Sequence, residues 1–174
     1  MTHLDTKFPT IVFKTLPLID PCMIKEIMGK RTKNREKIEF YYKEKTILPK
    51  IQFVVDIASG FLNMYGFNHF KDIWYIDCIR YKLKDQTKPV KSGLAWHCEN
   101  DNYANLITVL FYLRKDDGIQ NGNLGYKDKD NKKHIIEINS GTTIIMDGRV
   151  QHKPEDPIGT GERDVIIVSF EKSG

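Results

Sequence analysis

The sequence predicts an α+β chain, mainly β, whose helices come first and whose strands follow. Two observations carry that reading. Over residues 1–72 apolar side chains recur at helical spacing. From Trp74 onward the chain breaks into short segments rich in β-branched and aromatic residues, separated by Gly, Asn, Asp or Pro. The β half then reads as a sandwich or small barrel. The 174 residues suit one domain, 1–174, with a mainly helical part at 1–72 and a β core at 73–172.

The elements follow in order. Asp20-Pro21 pairs an N-cap with a first-turn proline, Met23, Ile24 and Ile27 give an apolar stripe, and Gly29 is a stop. A second helix begins near Pro49. Its stripe is Ile51, Val54, Ile57, Ala58, Phe61, Leu62 and Tyr65, and Gly66 ends it. Six strands are expected at Trp74–Leu83, Leu94–Glu99, Leu106–Leu113, His134–Ile138, Thr142–Met146 and Asp164–Glu171. Gly118 to Asn123 and Asn139-Ser-Gly141 are turn signals.

Composition excludes several classes. At 40% hydrophobic and 29% charged the chain is neither disordered nor fibrous. Three scattered cysteines with no CxxC pair argue against a disulfide framework or a zinc finger. No segment reaches the ~20 apolar residues of a membrane span, and MTHLDTKFPT lacks a signal-peptide pattern. A reducing, intracellular and cytoplasmic setting is the expectation. The formal charge is +4, and residues 30–45 hold all of that excess, with seven basic side chains against three acidic ones. That stretch is either a solvated face or a contact for an acidic partner such as nucleic acid. Phe40, Tyr41 and Tyr42 within it are stacking residues on the second view and core residues on the first.

Two histidines stand out among five. On a strand over Leu94–Glu99, His97 and Glu99 share a face. An imidazole and a carboxylate side by side are two-thirds of a facial metal triad, a weak signal alone. His152, in Asp147-Gly-Arg-Val-Gln-His152, offers the second imidazole. Arg163 comes eleven residues later and opens a strand. Its guanidinium can fork two hydrogen bonds onto a carboxylate, such as the far end of a metal-bound keto acid. Each feature alone reads as a surface residue, but together and in this order they point to a site.

From Ile79 to Phe170 these residues form a pattern that resembles the Fe(II)/2-oxoglutarate-dependent oxygenases, in their prolyl-hydroxylase-like branch. The carriers are Ile79-Arg-Tyr81, His97-Cys-Glu99, Thr108-Val-Leu-Phe-Tyr112, Gly122-Asn-Leu124, Gly141 through His152, and Gly161-Glu-Arg163. The resemblance implies a double-stranded β-helix, a jelly-roll barrel with N-terminal helices packed on its larger sheet. It implies Fe(II), 2-oxoglutarate as cosubstrate, and O2, and it admits ascorbate. It assigns His97, Glu99 and His152 to iron, Arg163 and Tyr112 to the C5 carboxylate of the cosubstrate, and Tyr81 to a position near its keto-acid end. Core packing is the competing role for the two tyrosines. Two departures stand out. Glu99 replaces the usual Asp, which leaves Asp101 as a reserve ligand, and Gly122-Asn123 replaces a double glycine. A prolyl or lysyl side chain of a protein or peptide is the substrate implied first. A nucleic-acid base comes second, and a non-catalytic metal- or keto-acid-binding barrel remains open. Trp96, Arg149 and a basic loop from Lys82 to Lys91 are expected at the mouth.

Overall fold

The computed structural model describes residues 2–4, 10–14, 19–20, 22–23, 26, 33–41, 49–99 and 105–173. The strands are β1 (Thr2–Leu4), β2 (Thr10–Lys14), β3 (Arg35–Tyr41), β4 (Phe70–Gln86), β5 (Leu106–Lys115), β6 (Ile119–Gln120), β7 (Leu124–Lys127), β8 (Lys133–Ile136), β9 (Thr142–Asp147), β10 (His152–Pro154) and β11 (Ile158–Lys172). A helix, α1, spans Pro49–Met64, and Cys22, Met23 and Glu26 are also helical. The chain is therefore mainly β, as expected.

Two antiparallel sheets form. The larger has the order β1-β2-β9-β5-β11-β4-β3, with β6 paired to β11; the smaller has the order β10-β7-β8. This arrangement is compatible with a jelly roll. Alternation along the long strands gives the larger sheet two apolar faces. Ile76 and Cys78 of β4, Val109 and Phe111 of β5, and Val168 and Phe170 of β11 pack outward with Ile51, Val54, Ala58 and Leu62 of α1. Ile79, Tyr81, Leu110, Tyr112 and Val165 face inward, where they join Leu124, Tyr126 and Ile136 of the smaller sheet. The site lies in this inner layer.

The helix ends as the sequence suggested. Gly66 takes φ +85, the Gly66 amide bonds the Asn63 carbonyl, and the Phe67 amide bonds that of Leu62. These two bonds satisfy the last carbonyls in a Schellman motif. Asp20 also caps as expected, its Oδ1 accepting from the Cys22 amide at 2.8 Å.

Three expectations change. Residues 1–72 hold strands beside the helix, since β1, β2 and β3 lie there and extend the larger sheet. β3 alternates charged side chains toward the inner layer, which hides its strand character from a hydrophobicity pattern. Leu94–Glu99 is a loop with a single bridge, His97 to His152. Lys82 to Gln86 continue β4, paired to β11, so the basic loop is shorter than expected. Gly29, Tyr42 and Asp101 lie outside the described residues, as do Lys30, Arg31, Lys43 and Lys45. No helix among the described residues is long and apolar enough to cross a membrane.

Candidate metal centre

His97 and His152 are brought together by backbone. The His97 amide donates to the His152 carbonyl at 3.0 Å, and the His152 amide donates back at 2.8 Å. Glu99, two residues beyond His97, completes the group. One nitrogen or oxygen from each of the three lies within 4.8 Å of the others. Glu99 Oε1 is 3.1 Å from His152 Nε2 and 3.6 Å from His97 Nε2. Metal–ligand bonds of about 2.0–2.2 Å at right angles put neighbouring donors roughly 3 Å apart, so the set can close on one ion.

The tautomers are fixed by the outer nitrogens. His97 Nδ1 contacts the Ala95 carbonyl at 2.9 Å and His152 Nδ1 the Val150 carbonyl at 3.0 Å. A carbonyl only accepts, so each Nδ1 donates outward; each Nε2 faces inward, where it donates to Glu99 in the imidazolium and offers its lone pair in the neutral ring. Burial would raise the Glu99 carboxyl. Hydrogen bonds from the His152 and His97 imidazoles outweigh it and hold the group well below the usual carboxylate range. Glu99 in turn raises His97 above its ordinary value, with burial opposing.

Sequence reasoning missed Tyr75. Its hydroxyl donates to Glu99 Oε2, the oxygen turned away from the histidines. Burial and the neighbouring Glu99 charge push the phenol well above its ordinary value, so it is a donor. Tyr75 stands opposite Ser169 on β11, and Ser169 Oγ is 2.8 Å from Thr108 Oγ1 on β5. Three strands thus support the outer oxygen of one carboxylate. The signal was parity: Tyr75 and Asp77 share the face of Tyr81.

The triad opens on a cavity of about 270 Å³ that also holds Arg163, Tyr112 and Tyr81. Arg163 is 2% exposed, and its Nε has no hydrogen-bond partner. No acidic side chain among the described residues pairs with it. Its guanidinium lies 5.0 Å from the Tyr112 ring centre and 5.4 Å from that of Tyr81. Burial pushes the Tyr112 phenol up, with Arg163 opposing. Gly122, at φ +71, makes room for the arginine: a Cβ there would stand 3.1 Å from Arg163 Cδ.

The wall beside the triad comes from β3 and β4. Arg35 Nε donates to the Tyr81 hydroxyl at 3.1 Å, and Lys37 pairs with Glu39 and Asp77. These two basic residues of the 30–45 stretch face the cavity and do not form an outward basic face. The mouth also differs from expectation. Ser92 and Leu94 line the cavity, while Arg149 turns to Asp147 at 2.8 Å. Trp96 packs on Gly125 between Lys127 and Lys133.

No family model matches the sequence, and no curated protein matches it. Solved structures do. One is a 2-oxoglutarate–Fe(II) oxygenase family oxidoreductase from Burkholderia pseudomallei, with a TM-score of 0.65 at 12% identity over 93% of this chain and 84% of that one. The fold is that of the 2-oxoglutarate oxygenases. A prolyl hydroxylase from Trichoplax adhaerens, in complex with a hypoxia inducible factor peptide fragment, shares it with a TM-score of 0.64 at 15% identity, covering 94% and 83%. A viral collagen prolyl hydroxylase from Paramecium Bursaria Chlorella virus-1, solved with 2-oxoglutarate, matches with a TM-score of 0.57 at 16% identity, covering 95% and 96%. The oxygenase fold thus extends over nearly the whole chain, including residues before Ile79 where the sequence carried no resemblance.

Proposed function

We propose that the protein is an Fe(II)- and 2-oxoglutarate-dependent dioxygenase. It hydroxylates a C–H bond of a protein or peptide side chain, from a double-stranded β-helix core. One observation carries the reading: a buried guanidinium, Arg163, with no acidic partner among the described residues, in the same cavity as a His-Glu-His set. An uncompensated buried charge costs several kcal/mol. Two tyrosine faces return only about 0.5–2 kcal/mol each. A dicarboxylate reaching from the triad to Arg163 supplies the missing anion.

The donor set fits Fe(II), with two imidazole nitrogens and one carboxylate oxygen on one side and the cavity open on the other. Iron held there with 2-oxoglutarate would supply O2 activation coupled to decarboxylation of the keto acid to succinate and CO2. The chain's own residues do the rest. Arg163 forks onto the distal carboxylate, and the Tyr112 hydroxyl, kept protonated by burial, donates to it. Tyr81, expected near the keto-acid end, lies against Arg163 and closes the distal end, fixed by Arg35. Ile79, Leu110, Val165 and Ile167 form a wall that excludes water from the reacting bond. The peptide held by the Trichoplax hydroxylase supports a peptide substrate here.

Succinate release with Fe(II), 2-oxoglutarate and O2 tests the proposal. His152→Ala should abolish both succinate release and metal binding. Arg163→Met should weaken 2-oxoglutarate binding about 10- to 100-fold, the worth of a charged hydrogen-bonded contact. If neither Fe(II) nor 2-oxoglutarate binds and His152→Ala changes nothing, the reading fails.

A further inference from the structure

Lys37 Nζ lies 2.6 Å from Glu39 Oε1 and 3.0 Å from Asp77 Oδ2. All three residues line the cavity that holds the triad. Two carboxylates, on adjacent strands, therefore converge on one ammonium inside the chamber. Strand geometry fixes the level at which they do so. The inward residues of β4 run Tyr75, Asp77, Ile79, Tyr81, with steps of about 6.7 Å. Tyr75 touches Glu99, while Tyr81 lies under Arg163. Asp77 thus sits one step from the triad end and about 13 Å along the strand from the arginine end. Arg163, Tyr112 and the triad account for the cosubstrate, and that assignment leaves Asp77 unused.

Asp77 is held at a cost. It is 7% exposed, and both Glu39 and Glu99 act against its charge. Lys37 is shared between the two carboxylates. A buried acid kept this way beside a reactive centre marks a functional site. Lys37 is not locked in place: it stands on an edge strand, its side chain is 31% exposed, and its flexible stem can turn to solvent.

We propose that the substrate presents a primary ammonium that takes the place of Lys37 between Asp77 and Glu39. Lys37 is then an internal stand-in for the substrate. The substrate class becomes a lysyl side chain or a free primary amine, because a prolyl ring carries no charge and would leave the cradle filled by Lys37. The inference uses the oxygenase reading for the reaction that follows, while the ammonium site can be read from binding alone.

The test is calorimetry on the full chain loaded with Mn(II) and 2-oxoglutarate. The probes are Nα-acetyl-lysine amide, a short lysine-containing peptide and free lysine, each beside its norleucine counterpart. Lysine should bind about tenfold or more tightly than norleucine in at least one series. Asp77→Asn and Glu39→Gln should each shrink that preference, and Lys37→Met, which empties the cradle, should strengthen lysine binding. The tighter of the peptide and free-lysine series identifies the source of the ammonium. Equal binding of lysine and norleucine in every series overturns the proposal. A preference that survives both carboxylate substitutions, or lysine binding that Lys37→Met does not strengthen, overturns it too. Mn(II) and 2-oxoglutarate are titrated first, and the lysine series is repeated on metal-free protein. Absence of cofactor binding then counts against the oxygenase reading alone.

Discussion

Glu99 is one methylene longer than the aspartate common at its position in the family it resembles, and Tyr75 shows how the extra length is held. With Oε2 engaged by the phenol, only Oε1 turns to the histidines. Tyr75→Phe should lower Mn(II) affinity about tenfold, as loss of a ligand-orienting hydrogen bond does, read by titration of the metal alone. Unchanged affinity would remove Tyr75 from that role. Asp77 gives a pH signature. Burial raises its pKa to about 6, with Glu39 and Glu99 adding to the rise and Lys37 opposing it. A raised carboxyl is charged above that value and neutral below it. Binding of a lysine probe, cationic throughout, should therefore weaken about tenfold between pH 7 and pH 5. Gly122→Ala provides a third reading. The new methyl would press on Arg163 from a φ of +71, so 2-oxoglutarate affinity should fall while Mn(II) affinity holds.

Elements divide cleanly between support and chemistry. α1 lies on the outer face of the larger sheet, and Leu62 within it is fully buried. Leu62→Ala should cost about 2–5 kcal/mol in urea unfolding while Mn(II) affinity stays near that of the native chain. The periodicity that places α1 was plain in the sequence, as were β4, β5, β9 and β11, whose apolar runs serve two covered faces. β3 escaped because Arg35, Lys37 and Glu39 point inward, where a pattern reader expects apolar side chains. β2 escaped because its short apolar run, Ile11 to Phe13, does not distinguish strand from helix. Leu94–Glu99 shows a reverse error. Its alternating pattern suggested a strand, yet a loop pinned at one bridge brings His97 and Glu99 to the same place. His97, Glu99, His152 and Arg163, which the structure gathers at one cavity, were legible because the chemistry proposed for them is tied to residue type and order. Tyr75, Asp77 and Lys37 were not, because their importance arises from partners 24, 40 or more positions away or across a strand pair.

At the scale of the whole molecule, helix, larger sheet, cavity and smaller sheet succeed one another, and the His-Glu-His set and Arg163 line the cavity. Residues 30–45 hold all of the +4 charge, and the described part of that stretch turns Arg35 and Lys37 inward, so charge there shapes a chamber wall. The paired backbone bonds between His97 and His152 have a thermodynamic consequence. They assemble the donor set from the chain itself, so an ion arrives as a ligand and does not act as a folding partner. Melting should then follow mass action, with about 1.4 kcal/mol of added stability for each tenfold excess of free Mn(II) over its dissociation constant. A chelator should return the protein to its unliganded melting point with its circular dichroism intact; a chelated chain that lost its strand signal would contradict this. Metal can then leave, return or be exchanged for another of the same series while the chain stays folded throughout.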